Sequence, residues 1–178
     1  ELNFDDLRIN NLNFSAEAFA DVPNSNYLFI LKELSFRPNL TRFSLHDISG
    51  QFSVTSQFVS INNFHLETDS SEINLDVRLD SVNVFKNADI EHFKNCPVSI
   101  NLKAEPFNFD DLSSFISATE ILKGTPSLEL KANGKFGGFK VEKCVLDYRD
   151  THFELEGKIL NLNNPSKLYI QAKINDSD

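Results

Sequence analysis

The sequence predicts a mainly β protein: a curved antiparallel β-sheet, shaped as a taco or half-pipe and sandwich-like in its dry inner side, with an apolar concave face and one or two short helices. Three observations predict it. Apolar and polar residues alternate along several segments, which marks a strand with one dry and one wet face. A strand pair recurs: VSINNFHLETDSSEINLDVRL at 59–79 is matched without a gap by FKVEKCVLDYRDTHFELEGKI at 139–159. Helical periodicity, by contrast, is scarce. In the repeated pair Ile61 matches Val141, Phe64 matches Cys144, Leu66 matches Leu146, Ile73 matches Phe153 and Leu75 matches Leu155, an offset of 80 residues (141 − 61). A domain that repeats a hairpin is stacking sheet.

Taken in order, the chain first offers a short helical turn at 16–20. Residues 27–55 then read as about three strands, YLFILKELSFR, TRFSLHDISG and QFSVT. In the pair that follows, Ile73, Leu75, Val77 and Leu79 point one way, and Glu72, Asn74, Asp76, Arg78 and Asp80 point the other. A second short helical turn is expected at 88–93. The two-residue rhythm returns in Val98, Ile100, Leu102 and Ala104. A helix is expected over 110–122, with Leu112, Phe115, Ile116 and Ile121 near one face; Asp110 or Asp111 caps its start, and Gly124 and Pro126 end it. Leu128, Leu130 and Ala132 make another strand, the second copy of the pair follows, and Leu168, Ile170, Ala172 and Ile174 close the series. Such half-buried strands are antiparallel, because parallel strands covered on both faces read as solid apolar runs.

Turn chemistry agrees. Asp69-Ser70-Ser71, Arg149-Asp150-Thr151 and Asn163-Asn164-Pro165-Ser166 tolerate tight turns between strands. Asn62-Asn63 shifts the alternation from Val59 and Ile61 to Phe64 and Leu66, and Glu142-Lys143 does the same in the second copy. Both places therefore predict a β-bulge.

Composition narrows the function. With 40% hydrophobic and 24% charged residues the 178-residue chain has a globular balance and suits one undivided β domain. It opens without Met directly into patterned sequence, so residues 1–178 are expected to be one β-rich segment of a longer repeat protein. Phe 17 against Trp 0 and Met 0 supplies large apolar area without hydrogen-bonding handles. A net charge of −9, with Lys and Arg scattered, argues against nucleic acid. No run approaches the roughly 18 apolar residues of a membrane span, and no signal-peptide pattern opens the chain.

Chemistry-bearing clusters are lacking. His46, His65, His92 and His152 stand far apart with no metal-ligand spacing. Asp5-Asp6 and Asp110-Asp111 are sequence neighbours, which suits helix starts and strand alternation better than acid–base work. There is no GxSxG elbow and no phosphate loop; Gly137-Gly138 reads as a hairpin turn before Phe139. No enzyme activity, metal or cofactor is expected. Cys144 takes the place of Phe64 in the other copy and reads as a small apolar residue, with a Cys96–Cys144 disulfide left open.

The apolar face remains as the candidate site. It comprises Ile61, Phe64, Leu66, Ile73, Leu75, Val77 and Leu79 in the first half. Val98, Ile100, Leu102, Leu128 and Leu130 make up the middle, and Phe139, Val141, Leu146, Phe153, Leu155, Leu168 and Ile170 the second half. Each such side chain left in water costs roughly 1.5–3 kcal/mol relative to burial, so the face must be covered. Three covers are available: a second sheet, a partner protein or an acyl chain. The first two describe an interaction or adhesion module of the β-sandwich kind. The third describes a lipid carrier.

The residues that decide among them form a succession: ELSFR, FSLHDISGQFSVTSQFVSINNFHLETDSSEINLDVRL, VSINLKAEPFNFDDLSSF and LELKANGKFGGFKVEKCVLDYRDTHFELEGKILNL. This succession, covering about residues 34–174, resembles the middle repeats of TamB-like proteins in the AsmA superfamily. There, a strand ending in Gly leads to a strand pair, a short "dLxxF" helix and another pair. Here Ile61 to Leu79 carry the first pair, Asp111, Leu112 and Phe115 the helix, and Val141 to Ile159 the second pair. The resemblance implies a taco-shaped sheet with an apolar lumen, in a parent protein anchored in the inner membrane and crossing the periplasm of a diderm bacterium. It further implies carriage of phospholipid acyl chains toward the outer membrane, outer-membrane protein assembly, and an outer-membrane barrel partner. The family's N-terminal membrane helix and C-terminal conserved domain are not in this sequence, which places the anchor and the barrel contact elsewhere. Edge strands without partners also predict edge-to-edge pairing of isolated segments.

Overall fold

The computed structural model describes residues 8–39, 44–86, 93–113, 123–162 and 164–175. Its described residues form one open antiparallel sheet of ten strands, each paired with its neighbours in the sequence. In order these are β1 (Ile9–Asp21), β2 (Asn26–Pro38), β3 (Leu45–Val54), β4 (Phe58–Thr68), β5 (Glu72–Asp80), β6 (Val98–Ala104), β7 (Ser127–Lys135), β8 (Gly138–Tyr148), β9 (Thr151–Leu160) and β10 (Tyr169–Asn175). Between β6 and β7 lies the short helix α1 (Phe109–Ser113), and a 3-10 turn (Pro165–Lys167) precedes β10. Each strand packs side by side only with its sequence neighbours, so no second sheet faces the first among the described residues.

The repeated strand pair folds identically. In β4 and β5, Ile61 lies opposite Val77, Phe64 opposite Leu75 and Leu66 opposite Ile73. In β8 and β9, Val141 lies opposite Gly157, Cys144 opposite Leu155 and Leu146 opposite Phe153. Every position is displaced by the same 80 residues (141 − 61, 144 − 64, 146 − 66). The register breaks fall between Ile61 and Phe64 and between Val141 and Cys144, at the two expected bulges. An extra residue on one strand bends that strand and strengthens its twist, so the two bulges place matching bends in both halves of the sheet.

Three local expectations are corrected. Residues 16–20 are not helical but belong to β1, where Ala16, Ala18 and Ala20 alternate with Glu17 and Phe19. The described residues of 27–55 hold two strands rather than about three. Gly50 does not end a strand: it sits within β3 at a register break, at a φ of 157°, and an added Cβ would lie 3.1 Å from the Phe64 backbone. The helix expected over 110–122 is present as Phe109–Ser113, and 114–122 lie outside the described residues. Most of the turn expected at 88–93 lies outside them too, as does His92.

Candidate functional site

In an antiparallel ladder, residues directly opposite each other project to the same face. The registers therefore trace one row of apolar positions across the sheet. From Ile61 and Val77 the row passes to Ile100, Ala132, Val141, Gly157 and Ala172. A parallel row runs from Phe64 through Leu75, Leu102, Leu130, Cys144 and Leu155. A third runs from Leu66 through Ile73, Ala104, Leu128, Leu146 and Phe153. Near the strand ends, Leu79 and Val98 share the face with Gly134, Phe139, Ile159 and Ile170. Of the residues picked from the sequence, only Leu168 falls outside a strand, immediately before β10, so no register assigns it a face.

The same face continues through residues that the alternation did not single out. Tyr27, Phe29 and Leu31 on β2 lie opposite Val54, Phe52 and Gly50 on β3. Phe52, Ile48 and Val54 in turn oppose Ile61, Leu66 and Val59. The alternation was present in YLFIL and QFSV, but apolar residues on the other face at Leu28 and Ile30 obscured it. On β1 the inner positions next to β2 are Ala16, Ala18 and Ala20.

This inner face is half-buried rather than dry. Val98, Ala104, Ala132 and Val141 are buried in the middle of the sheet, whereas Leu146 and Ile170 toward the β10 edge and Phe29 toward the β1 edge are exposed. Among the described residues two connections supply cover, and they lead from opposite ends of β6. In the β5–β6 connection, Val82 is fully buried and its N–H donates to the Gln57 carbonyl at 3.2 Å. Phe85 rests its ring 5.2 Å from that of Tyr27, an inner-face residue. In the β6–β7 connection, buried Asp111 at α1 accepts hydrogen bonds from Thr68 Oγ1 at 2.5 Å, Ser71 Oγ at 2.6 Å and Ser70 Oγ at 3.0 Å. At its far end the Tyr148 hydroxyl donates to the Lys123 carbonyl at 2.5 Å, and Gly124 leaves room for the Tyr148 ring.

The outer face is mostly polar and cross-linked. Lys143 Nζ meets Glu129 at 2.6 Å, Lys103 meets Glu105 at 2.9 Å, and Arg78 both pairs with Asp80 and stacks 3.8 Å over the Phe58 ring. His46 bonds Asp69 at 2.8 Å, His65 bonds Asn74 at 2.9 Å, and His152 bonds Asp147 at 2.5 Å. The hydrogen bond to Asp147 holds His152 above its ordinary pKa of 6.5, and the same bond holds Asp147 below its ordinary 3.8. Among the described residues no group of three or more His, Cys, Asp or Glu could hold a metal. The cysteines are both thiols: Cys96 is buried, with Sγ 3.4 Å from the Ser81 carbonyl, and burial raises the pKa of Cys144 on the inner face.

No family model matches the chain, and no curated protein or solved structure is significantly similar to it. The arrangement itself must therefore say what the molecule can do. Among the described residues it offers an apolar surface that runs across the ten strands. No helix among the described residues is long and apolar enough to cross a membrane.

Proposed function

We propose that this chain is a non-enzymatic lipid-carrying segment of a periplasmic bridge-like protein of the TamB type. In this reading phospholipid acyl chains lie along the inner face while their headgroups stay in water. The parent protein is anchored in the inner membrane of a diderm bacterium and delivers lipid toward the outer membrane, and parts of it not present here engage an outer-membrane barrel protein during outer-membrane protein assembly. The observation that carries the reading is the single-layered apolar face: the strands place most of their apolar side chains on one side, and no second sheet covers them among the described residues. The sequence resemblance supports the cellular setting.

The physics suits a passive conduit. Burying a methylene group is worth about 0.8 kcal/mol and is non-directional, so a chain gains by lying anywhere along the face and moves without a specific site. Large contiguous apolar surface is otherwise rare on soluble proteins and marks binding. The adhesion-module alternative needs a covering layer that the described residues do not supply.

The test is direct. Lipid extracted from the purified protein should contain phospholipid by mass spectrometry, and a fluorescent fatty acid should bind. Leu75 and Leu102 lie opposite each other on the inner face. Changing both to Glu should weaken binding by about tenfold or more, since roughly 1.4 kcal/mol suffices for that factor. The outer-face change Asn101→Glu should leave binding unaltered. Absence of extracted lipid together with no fatty-acid binding, in a protein whose far-UV circular dichroism shows intact sheet, would sink the conduit reading.

A further inference from the structure

We propose that a lipid held on the inner face keeps its phosphate over one particular rim of the sheet, and that the groove therefore prefers anionic phospholipids to uncharged ones. The inference rests on the conduit reading and adds to it a direction and a headgroup class. In an antiparallel meander alternate connections lie on opposite rims. The β1–β2, β3–β4, β5–β6, β7–β8 and β9–β10 connections thus share a first rim, and the connections between them share a second.

The two rims differ in chemistry. In the connections of the first, Val22, Phe85, Phe136, Leu162 and Leu168 are 43–65% exposed. Among the described residues, no connection of the second rim exposes a large apolar side chain. Charge divides the same way. Lys86, Lys135 and Lys167 are exposed at the first rim, and none of them meets a carboxylate within ion-pair distance among the described residues. Two carboxylates end strands there: Asp21 accepts a hydrogen bond from Asn24, and Asp80 pairs with Arg78. The connections of the second rim carry Asp69, Glu105, Asp110 and Asp150 against Lys123 and Arg149.

One stretch of the first rim is held together by its own backbone. The Leu162 N–H donates to the Gly137 carbonyl at 3.1 Å, and the Asn161 side chain donates to the Lys167 carbonyl at 2.9 Å. The β9–β10 connection is thereby fixed against the β7–β8 turn, which gathers Lys135, Phe136, Leu162 and Lys167. The inner face runs up to this stretch through Phe139, Ile159 and Ile170. Acyl chains on that face meet further apolar surface at the rim, and lysine stems cover such surface while their ammonium groups stay in water beside the phosphate. At the second rim a phosphate would face carboxylates. There the β6–β7 connection is also tied down at both ends, through Asp111 to Thr68 and through Lys123 to Tyr148.

Two lipids with the same acyl chains test this on delipidated protein: dioleoyl phosphatidylglycerol, which is anionic, and dioleoylglycerol, which is uncharged. Phosphatidylglycerol should bind more tightly, and the difference should shrink as salt screens the lysines. A lysine near an anionic lipid is worth about fivefold in affinity. Lys135→Glu with Lys167→Glu should therefore weaken phosphatidylglycerol binding by about tenfold or more and leave dioleoylglycerol binding unaltered. Lys103→Glu with Arg149→Glu makes the same change in net charge at the second rim and should leave both lipids unaltered. In the unaltered protein, a diazirine on the phosphatidylglycerol headgroup should label the peptides that carry Phe136 and Leu162 and spare those that carry Glu105 and Asp150. Equal losses in the two double variants, or headgroup labelling shared by both rims, would overturn the sidedness while dioleoylglycerol binding keeps the conduit reading. If folded protein binds neither lipid, the conduit reading fails and this inference fails with it.

Discussion

At Asn63 the backbone takes a φ of 50°, in the left-handed region that Asn and Gly tolerate and β-branched residues resist. The bulge depends on this residue, and its N–H donates to Asp76 Oδ1 on the neighbouring strand at 2.7 Å. Asn63→Val should therefore lower stability by about 1–2 kcal/mol, while Asn63→Gly stays within about 0.5 kcal/mol of the parent. Urea denaturation midpoints at constant slope would show the difference; equal midpoints for Val and Gly would mean that the bulge relaxes without cost. A second residue-scale effect is pH-dependent. His152 is hydrogen-bonded to Asp147 on β8 and ion-paired with Glu154 on its own strand, and Asp147 also accepts from Ser127 on β7. The pKa of His152 is raised on folding, so its contribution is fully present below about 6.5 and is lost as pH rises through the raised value. Asp147 is lowered, so its contribution is present above 3.8 and disappears as pH falls through the lowered value. An imidazole NMR titration should place His152 above 6.5, and a midpoint at or below that value would remove the pair as a source of pH dependence.

The elements divide by how their sequence advertises them. β5, β6 and β7 were legible because each residue of one face differs in kind from its neighbours: Ile73, Leu75 and Val77 against Asn74, Asp76 and Arg78 leave one reading. β1 was not, because Ala16, Ala18 and Ala20 are good helix formers and their strand character comes only from pairing with β2. β3 was divided in two because Gly normally punctuates, whereas Gly50 serves close approach to Phe64. The inner face followed from the same alternation, and the 80-residue repeat carried its register. How much of it stays open did not, since that depends on where the long connections dock. The Asp111 anchor shows this: its partners Thr68, Ser70 and Ser71 lie some forty residues upstream and belong to a turn. Hydrogen bonds to a charged group contribute about 1.5–3 kcal/mol each and do not add in full, so Asp111→Ala should cost about 2–4 kcal/mol. It should also loosen α1 in hydrogen exchange. A loss within about 0.5 kcal/mol would show that the connection is held elsewhere.

At the scale of the whole molecule, a meander in which each strand meets only its sequence neighbours behaves as a nearly one-dimensional chain of interfaces. Stability then depends on position. β4 to β8 have a neighbour on either side and lie where the two long connections dock, and Val98, Ala104, Ala132 and Val141 are buried there. β1 and β10 have one neighbour each, and Phe14, Phe19, Tyr169 and Ile170 remain exposed on them. Local openings follow such differences in buried contact, so amide protection should be greatest in β5, β6 and β7 and fall in steps toward both edges. Hydrogen exchange measures that profile. Equal protection along all ten strands would mean that the sheet opens only as a unit.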